Sequence, residues 1–289
     1  MIPPAGFRYI DAHTHLHPPR LFAAIRRWFD EHTDWNLRGP TEPDAVVAAL
    51  RAAGVERFAF FSYAHRPGMA RDLNRWIRDT AARYPDAIPL GTVHAADDDP
   101  GAIVDEACGA WGLAGLKLHV QVQRFHPDDP RLRPVYARLV ELGRVLVIHV
   151  GTGPHPNEFT GLGGLVPVLE RFPALRVSIC HMGAFEIRTA LALLDRFPEL
   201  RLDTTMAMTR ASTPFTGIDP AVVRDEDLVR HADRILFGSD FPNLPYPYEE
   251  ERRDLWARDL PLEVYHRIFR ENARRFFGLR ADGPPAAPA

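Results

Sequence analysis

The sequence predicts a (β/α)8 barrel, an α/β fold that typically takes roughly 250 residues. Three observations carry this. Short β-rich apolar runs alternate with amphipathic segments along nearly the whole chain, and strand–helix–strand repeats imply right-handed crossovers and parallel pairing. The runs, VLVIHV, VSICHM and RILFGS among them, are almost continuously apolar, which suits strands covered on both faces. The first run is followed by DAHTHLHPP rather than a glycine-rich phosphate turn, which counts against an open dinucleotide-binding sheet.

Taken in order, the expected strands are 7–11, 57–61, 88–93, 115–119, 145–150, 176–180, 201–204 and 234–238. Helical spacing of apolar residues marks 43–53, 70–84, 102–111, 134–142, 164–172, 185–197 and 220–231. Asp or Thr stands ahead of several of these and Gly or Pro follows, as capping requires. The stretch 17–40 is long for a βα connection and reads as a loop over the barrel mouth. Residues 1–280 form one domain, and the Pro/Ala-rich tail 281–289 reads as disordered. No internal repeat is visible.

Composition narrows the function. The 289 residues are 46% hydrophobic and 25% charged, enough to bury a large core. A net charge of −3 with both signs interspersed argues against a nucleic-acid partner. No apolar run approaches the ~20 residues of a membrane span, and residues 1–6 lack the pattern of a secretory signal. Cys108 and Cys180 make no disulfide framework, so a cytoplasmic location is expected. The expected partner is a small molecule, with a homodimer the base-rate assembly. Lys and Arg together number 35, and all but Lys117 are arginine. Against that bias a surviving lysine points to a place where an amine or a slimmer side chain is needed.

Catalytic groups in such a barrel come from the C-terminal ends of several strands. Here those ends carry Asp11, His13 and His15 on strand 1, His94 on strand 3, Lys117 and His119 on strand 4, His149 on strand 5, His181 on strand 6 and Asp240 on strand 8. Residues two apart share a face, so His13 and His15 point together into the barrel, as do Lys117 and His119. Three imidazoles and one carboxylate on converging strands can hold a divalent cation and leave a position open. Such a site activates water and polarises a carbonyl; Asp240 is available as base, and His181 can orient substrate or shuttle a proton. A lone His-x-His is weak, and a lone strand-end histidine is more often structural. The joint pattern across six strand ends, in a chain with 13 His, carries the argument. His17, His65, His126 and His155 read as solvated or supporting loop residues, and His32, His231 and His266 as structural.

The motifs YIDAHTHLH, GLKLH, VIHVG, CHMGA and LFGSDFP, with the closing ENARRFFGL, resemble the amidohydrolase superfamily, most closely its amidohydrolase-2 branch of metal-dependent hydrolases and decarboxylases. The resemblance spans most of residues 8–279. It implies a distorted TIM barrel with a divalent metal at its C-terminal face, held by His13, His15, His149 and Asp240. By the same likeness His181 is an acid/base or substrate contact. Binuclear members bridge two metals with a carboxylated strand-4 lysine, and Lys117 and His119 stand where that would need them. The branch is more often mononuclear, so one ion, zinc by its liking for imidazole, is the expectation, with Lys117 as an amine near substrate or His119 and two ions as the alternative. The expected activity is hydrolysis of an ester, lactone or amide by metal-activated water. The alternative is non-oxidative decarboxylation of a small carboxylic acid on the same ligands. A non-catalytic ligand-binding barrel is a distant third, because it has no evident need for His and Asp around an open metal position. Trp28, Trp35 and Phe215 are candidates for an aromatic pocket wall. Arg66, Arg124 and Arg210 are candidates for a substrate carboxylate, although solvated surface charge is the plainer reading.

Overall fold

The computed structural model describes residues 6–279; the expected disordered tail lies outside them. Eight strands, β1 (Tyr9–His15), β2 (Val55–Phe61), β3 (Ala87–Gly91), β4 (Gly115–His119), β5 (Val145–His149), β6 (Arg176–Ile179), β7 (Leu200–Asp203) and β8 (Ile235–Leu236), form one parallel sheet in sequential order. Alternation of side chains sorts two cores. Phe58 and Phe60 of β2 and Leu146 and Ile148 of β5 face the surrounding helices. Ala59, Phe61, Val145 and Val147 face the barrel axis, where Phe276 and Phe277 also pack. The axial register continues upward from Val147 to His149, and β4 pairs with it as Lys117 to Val147 and His119 to His149. Core packing thus aims these polar side chains inward.

The eighth strand is only two residues long, yet the ring closes through backbone bonds to β1. Ala12 N donates to Phe237 O, Asp240 N to His13 O and His15 N to Phe241 O, each at 2.8 Å. Gly238 permits this approach: a Cβ there would lie 2.7 Å from His13 Cβ and 2.6 Å from Thr205 Oγ1.

Several expected boundaries move. β1 continues to His15, so both histidines of the motif lie within the strand rather than after it. The stretch read as a loop over 17–40 contains a helix, α1 (Pro19–His32). The 102–111 helix is a short α-helix (Pro100–Val104) running into a π turn (Asp105–Ala110). The 220–231 helix is a 3-10 turn (Pro220–Val222) followed by Asp225–Arg230. The 185–197 helix begins at Ile187, after a 3-10 stretch that includes His181. Capping by Asp is as expected at Asp99, Asp129 and Asp219, whose side chains accept backbone N–H groups. No helix among the described residues is long and apolar enough to cross a membrane.

Candidate metal centre

His13 and His15 leave β1 on the axial side and turn both Nε2 atoms to one oxygen, Asp240 Oδ1, at 3.3 and 2.7 Å. Asp240 occupies a left-handed backbone conformation, φ 71°, costly for a non-glycine residue and typical of functional sites. Its amide is tied to the His13 carbonyl. Burial alone would raise its pKa, but the hydrogen bonds from His13 and His15 outweigh this and hold it well below the usual carboxylate range. Asp11 braces the motif from behind. Its carboxylate accepts from Ser239 Oγ at 2.6 Å, Tyr248 OH at 2.9 Å and the His13 amide at 3.1 Å. Burial pushes its pKa up to about 6.

Asp203, at the end of β7, links two of the histidines. Its Oδ2 accepts from His13 Nδ1 at 3.0 Å and its Oδ1 from the His181 amide at 2.9 Å. A carboxylate only accepts, so His13 carries a proton on Nδ1. Its Nε2 faces the Asp240 oxygen, and since two acceptors repel in a dry site, either a second proton donated to Asp240 or a cation must lie between them. Burial and Lys117 oppose a charged His13, yet Asp203 outweighs them and raises its pKa well above the ordinary value. His181 donates Nδ1–H to the Thr205 carbonyl at 3.1 Å, leaving Nε2 free. Burial lowers its pKa to about 4. Its backbone opens a run of left-handed residues, His181 to Ala184.

His149 stacks on His119, ring centroids 4.0 Å apart, and meets His181 edge-on at 4.8 Å. Burial, reinforced by neighbouring imidazoles, pushes His149 and His119 well below the ordinary histidine pKa. His149 Nε2 and His119 Nδ1 are buried without a hydrogen-bond partner. Lys117 does not reach His119. Its ammonium donates to Cys180 Sγ at 2.8 Å and lies 4.7 Å from the centre of the Phe61 ring.

Among the described residues, His13, His15 and Asp240 bring ligand atoms within 4.8 Å of one another, as do His13, Cys180 and Asp203. In the second set the His13 nitrogen is already occupied by its bond to Asp203. The first set suits a divalent cation: two imidazole nitrogens and an ionised carboxylate converge, and a further buried imidazole nitrogen lacks a partner. His149, expected as a ligand, stands outside that tight group.

His94 does not belong to the centre. Its Nε2 donates to the Gln123 carbonyl at 2.9 Å and its Nδ1 accepts from the Ala96 amide at 3.1 Å. His17, read as solvated or supporting, is buried, stacked on His15 at 5.2 Å and bonded to Ser62. Asp203 and Tyr63, whose ring packs between His65 and His119, are not among the residues expected from the sequence. Asp203 sits at a strand end like the others, and that position is the signal the sequence offers for it.

A cavity of about 630 Å³ opens over these groups. His13, His15, Lys117, His119, His149, His181 and Asp240 all line it, so these seven residues expected from the sequence share one space, while Asp11 and His94 do not open into it. Its outer wall is α1 and the segment after it, including Trp28 and Trp35. Phe215 lies behind Trp35 at 6.4 Å rather than on the wall. Arg124 lines the cavity; Arg66 and Arg210 do not.

A family model for the amidohydrolases matches residues 10–279. The chain belongs to the amidohydrolase family. Among proteins similar to this chain is the 6-methylsalicylic acid decarboxylase of Penicillium expansum, 24% identical over 278 residues, covering 82% of this chain and 86% of the relative. Among solved structures, a TIM-barrel protein of Bordetella bronchiseptica superposes with a TM-score of 0.72 at 21% identity, covering 94% of this chain and 99% of the other. The 2,6-dihydroxybenzoate decarboxylase of Rhizobium gives 0.69 at 16%, covering 94% and 98%. The 5-carboxyvanillate decarboxylase of Novosphingobium aromaticivorans, solved with manganese and 4-hydroxy-3-methoxy-5-nitrobenzoic acid, gives 0.66 at 18%, covering 95% and 97%. At these identities the structural likeness establishes the barrel.

Proposed function

We propose that the protein is a metal-dependent, non-oxidative decarboxylase of a small hydroxyaryl carboxylic acid. The observation that carries this reading is the His13/His15/Asp240 set opening into a cavity walled by aromatic side chains. It is supported by relatives that act on 6-methylsalicylic acid, 2,6-dihydroxybenzoate and 5-carboxyvanillate. These favour the decarboxylase alternative over the hydrolase expected first, and the manganese in one relative leaves zinc as one of two suitable ions.

His13, His15 and Asp240, with His149 Nε2 as further donor, would hold the ion, which supplies Lewis acidity to a carboxylate and its neighbouring hydroxyl. The chain's own groups do the rest. Asp203 and Asp11 keep His13 and the β1 backbone in place. Trp28, Trp35 and the inner face of α1 position the ring and exclude water. When the bond to CO2 breaks, its electron pair stays on the ring carbon and must take a proton. His181 is the relay: neutral by burial and anchored through Nδ1, its Nε2 takes up a proton from solvent and passes it to that carbon.

The test is CO2 release from hydroxybenzoates by metal-loaded protein. Turnover is expected to stop on chelation and return with Zn2+ or Mn2+. Asp240→Asn and His181→Gln are each expected to lower kcat by about 10²–10⁴-fold. Hydrolysis of esters, lactones or amides with no CO2 from any acid would overturn the reading.

A further inference from the structure

The cavity has two unlike ends. Unsatisfied polar atoms gather near the strand ends, where His119 Nδ1, His149 Nε2 and Asn243 Oδ1 are buried without partners. The opposite wall is apolar. Leu21, Ile25 and Trp28 recur at helical spacing along α1, and Trp35 and Ile218 continue the same surface.

Two cationic side chains line the cavity among the described residues, Lys117 of β4 and Arg124 of the segment after it, and neither belongs to the α1 wall. Lys117 is 1% exposed and committed to Cys180 Sγ and the face of Phe61. Arg124 is 71% exposed, with Glu158 at 3.8 Å and Phe159 beneath it. Arg26 of α1 gives its guanidinium to the Leu37 and Gly39 carbonyls. His65 is kept neutral by burial, and His155 is exposed.

We propose that the site selects a monoanionic acid with an uncharged, apolar far edge, an alkyl-bearing hydroxybenzoate rather than an aromatic dicarboxylate. The inference rests on the decarboxylase reading for the reaction and adds which acid is admitted. A single carboxylate is met by the ion and the polar floor. A second one, carried to the α1 wall, would lose its water and find no cation in return, which is heavily penalised. A methyl group there gains from burial.

The experiment measures calorimetric binding of three probes to Mn2+-loaded protein, with CO2 release followed in parallel. The probes are 2-hydroxybenzoate, 2-hydroxy-5-methylbenzoate and 4-hydroxyisophthalate, which carries a second carboxylate where the other has its methyl. The methyl acid should bind about fourfold tighter than the parent, and the diacid at least about 100-fold weaker. Trp28 is 45% exposed, so Trp28→Arg should fold, as circular dichroism would verify, and should narrow the gap between diacid and parent at least about tenfold. The proposal is overturned if the diacid binds as well as the parent, if none of the three binds, or if Trp28→Arg leaves the gap unchanged. If the order holds without CO2 release, the selectivity stands and the decarboxylase reading falls. If CO2 is released from the diacid as readily as from the others, the reverse is true.

Discussion

The two oxygens of Asp203 serve two donors, the His13 ring and the His181 backbone, so this residue sets both a tautomer and a backbone turn. Asparagine would keep the shape but offer only one acceptor, leaving either donor facing an amide NH2 group. Asp203→Asn is therefore expected to weaken metal binding by about 10–100-fold, read by competition with a chromophoric chelator, while the far-ultraviolet dichroism stays unchanged. An unaltered metal affinity would show that His13 is oriented by something else. At this scale the sequence was informative where alternation could be applied. His13 with His15, and Lys117 with His119, share the inner face because residues two apart must. The destination of each side chain was not legible. Lys117 ends on Cys180, a contact between β4 and the turn after β6 that no spacing encodes, and His94 looks like a ligand until its two backbone partners are seen.

The element that shapes the cavity mouth is α1 with its return segment. Arg26 ties the two together, its guanidinium donating to the Leu37 carbonyl and, at 2.6 Å, to the Gly39 carbonyl. Gly39 in turn abuts Pro242, where a Cβ would meet the carbonyl oxygen at 2.5 Å. Arg26→Ala would leave two carbonyls without a donor, a local cost of about 1–3 kcal/mol. Faster hydrogen exchange in α1 and a raised KM with kcat nearly kept are expected; unchanged exchange in α1 would contradict the clasp. The eight strand runs were readable because buried parallel strands are apolar throughout. Residues 17–40 read as a loop because the apolar spacing of Leu21, Ile25 and Trp28 is short, flanked by prolines and interrupted by charge. Similarly, β8 is cut to two residues by the tight approach at Gly238 and the left-handed Asp240, which are demands of the site rather than of the strand.

Across the whole molecule, stability against acid draws on ion pairs joining neighbouring helices. Asp227 is buried, which would raise its pKa, but hydrogen bonds from Arg188 at 2.5 Å and from the Arg224 backbone at 3.0 Å lower it to about 2. An unfolded Asp titrates near 3.9, so the folded state favours the ionised form. The resulting stability is complete above about pH 4 and is lost as pH falls through about 2. Asp227→Asn should lower urea stability at pH 7 by about 1 kcal/mol, since Arg188 is solvent-exposed, and the difference should shrink between pH 4 and pH 2. A difference independent of pH would assign the effect to capping alone. The seam between β1 and β8 carries a consequence for biosynthesis. Asp11 and Ser239, bonded across it, are 228 residues apart in the chain, and the carboxylate that faces His13 and His15 is the next residue, Asp240. A nascent polypeptide on the ribosome thus lacks the complete His13/His15/Asp240 set until Asp240 has been translated, and an ion held there as proposed would act as a clasp on the finished ring, resisting global rather than local opening.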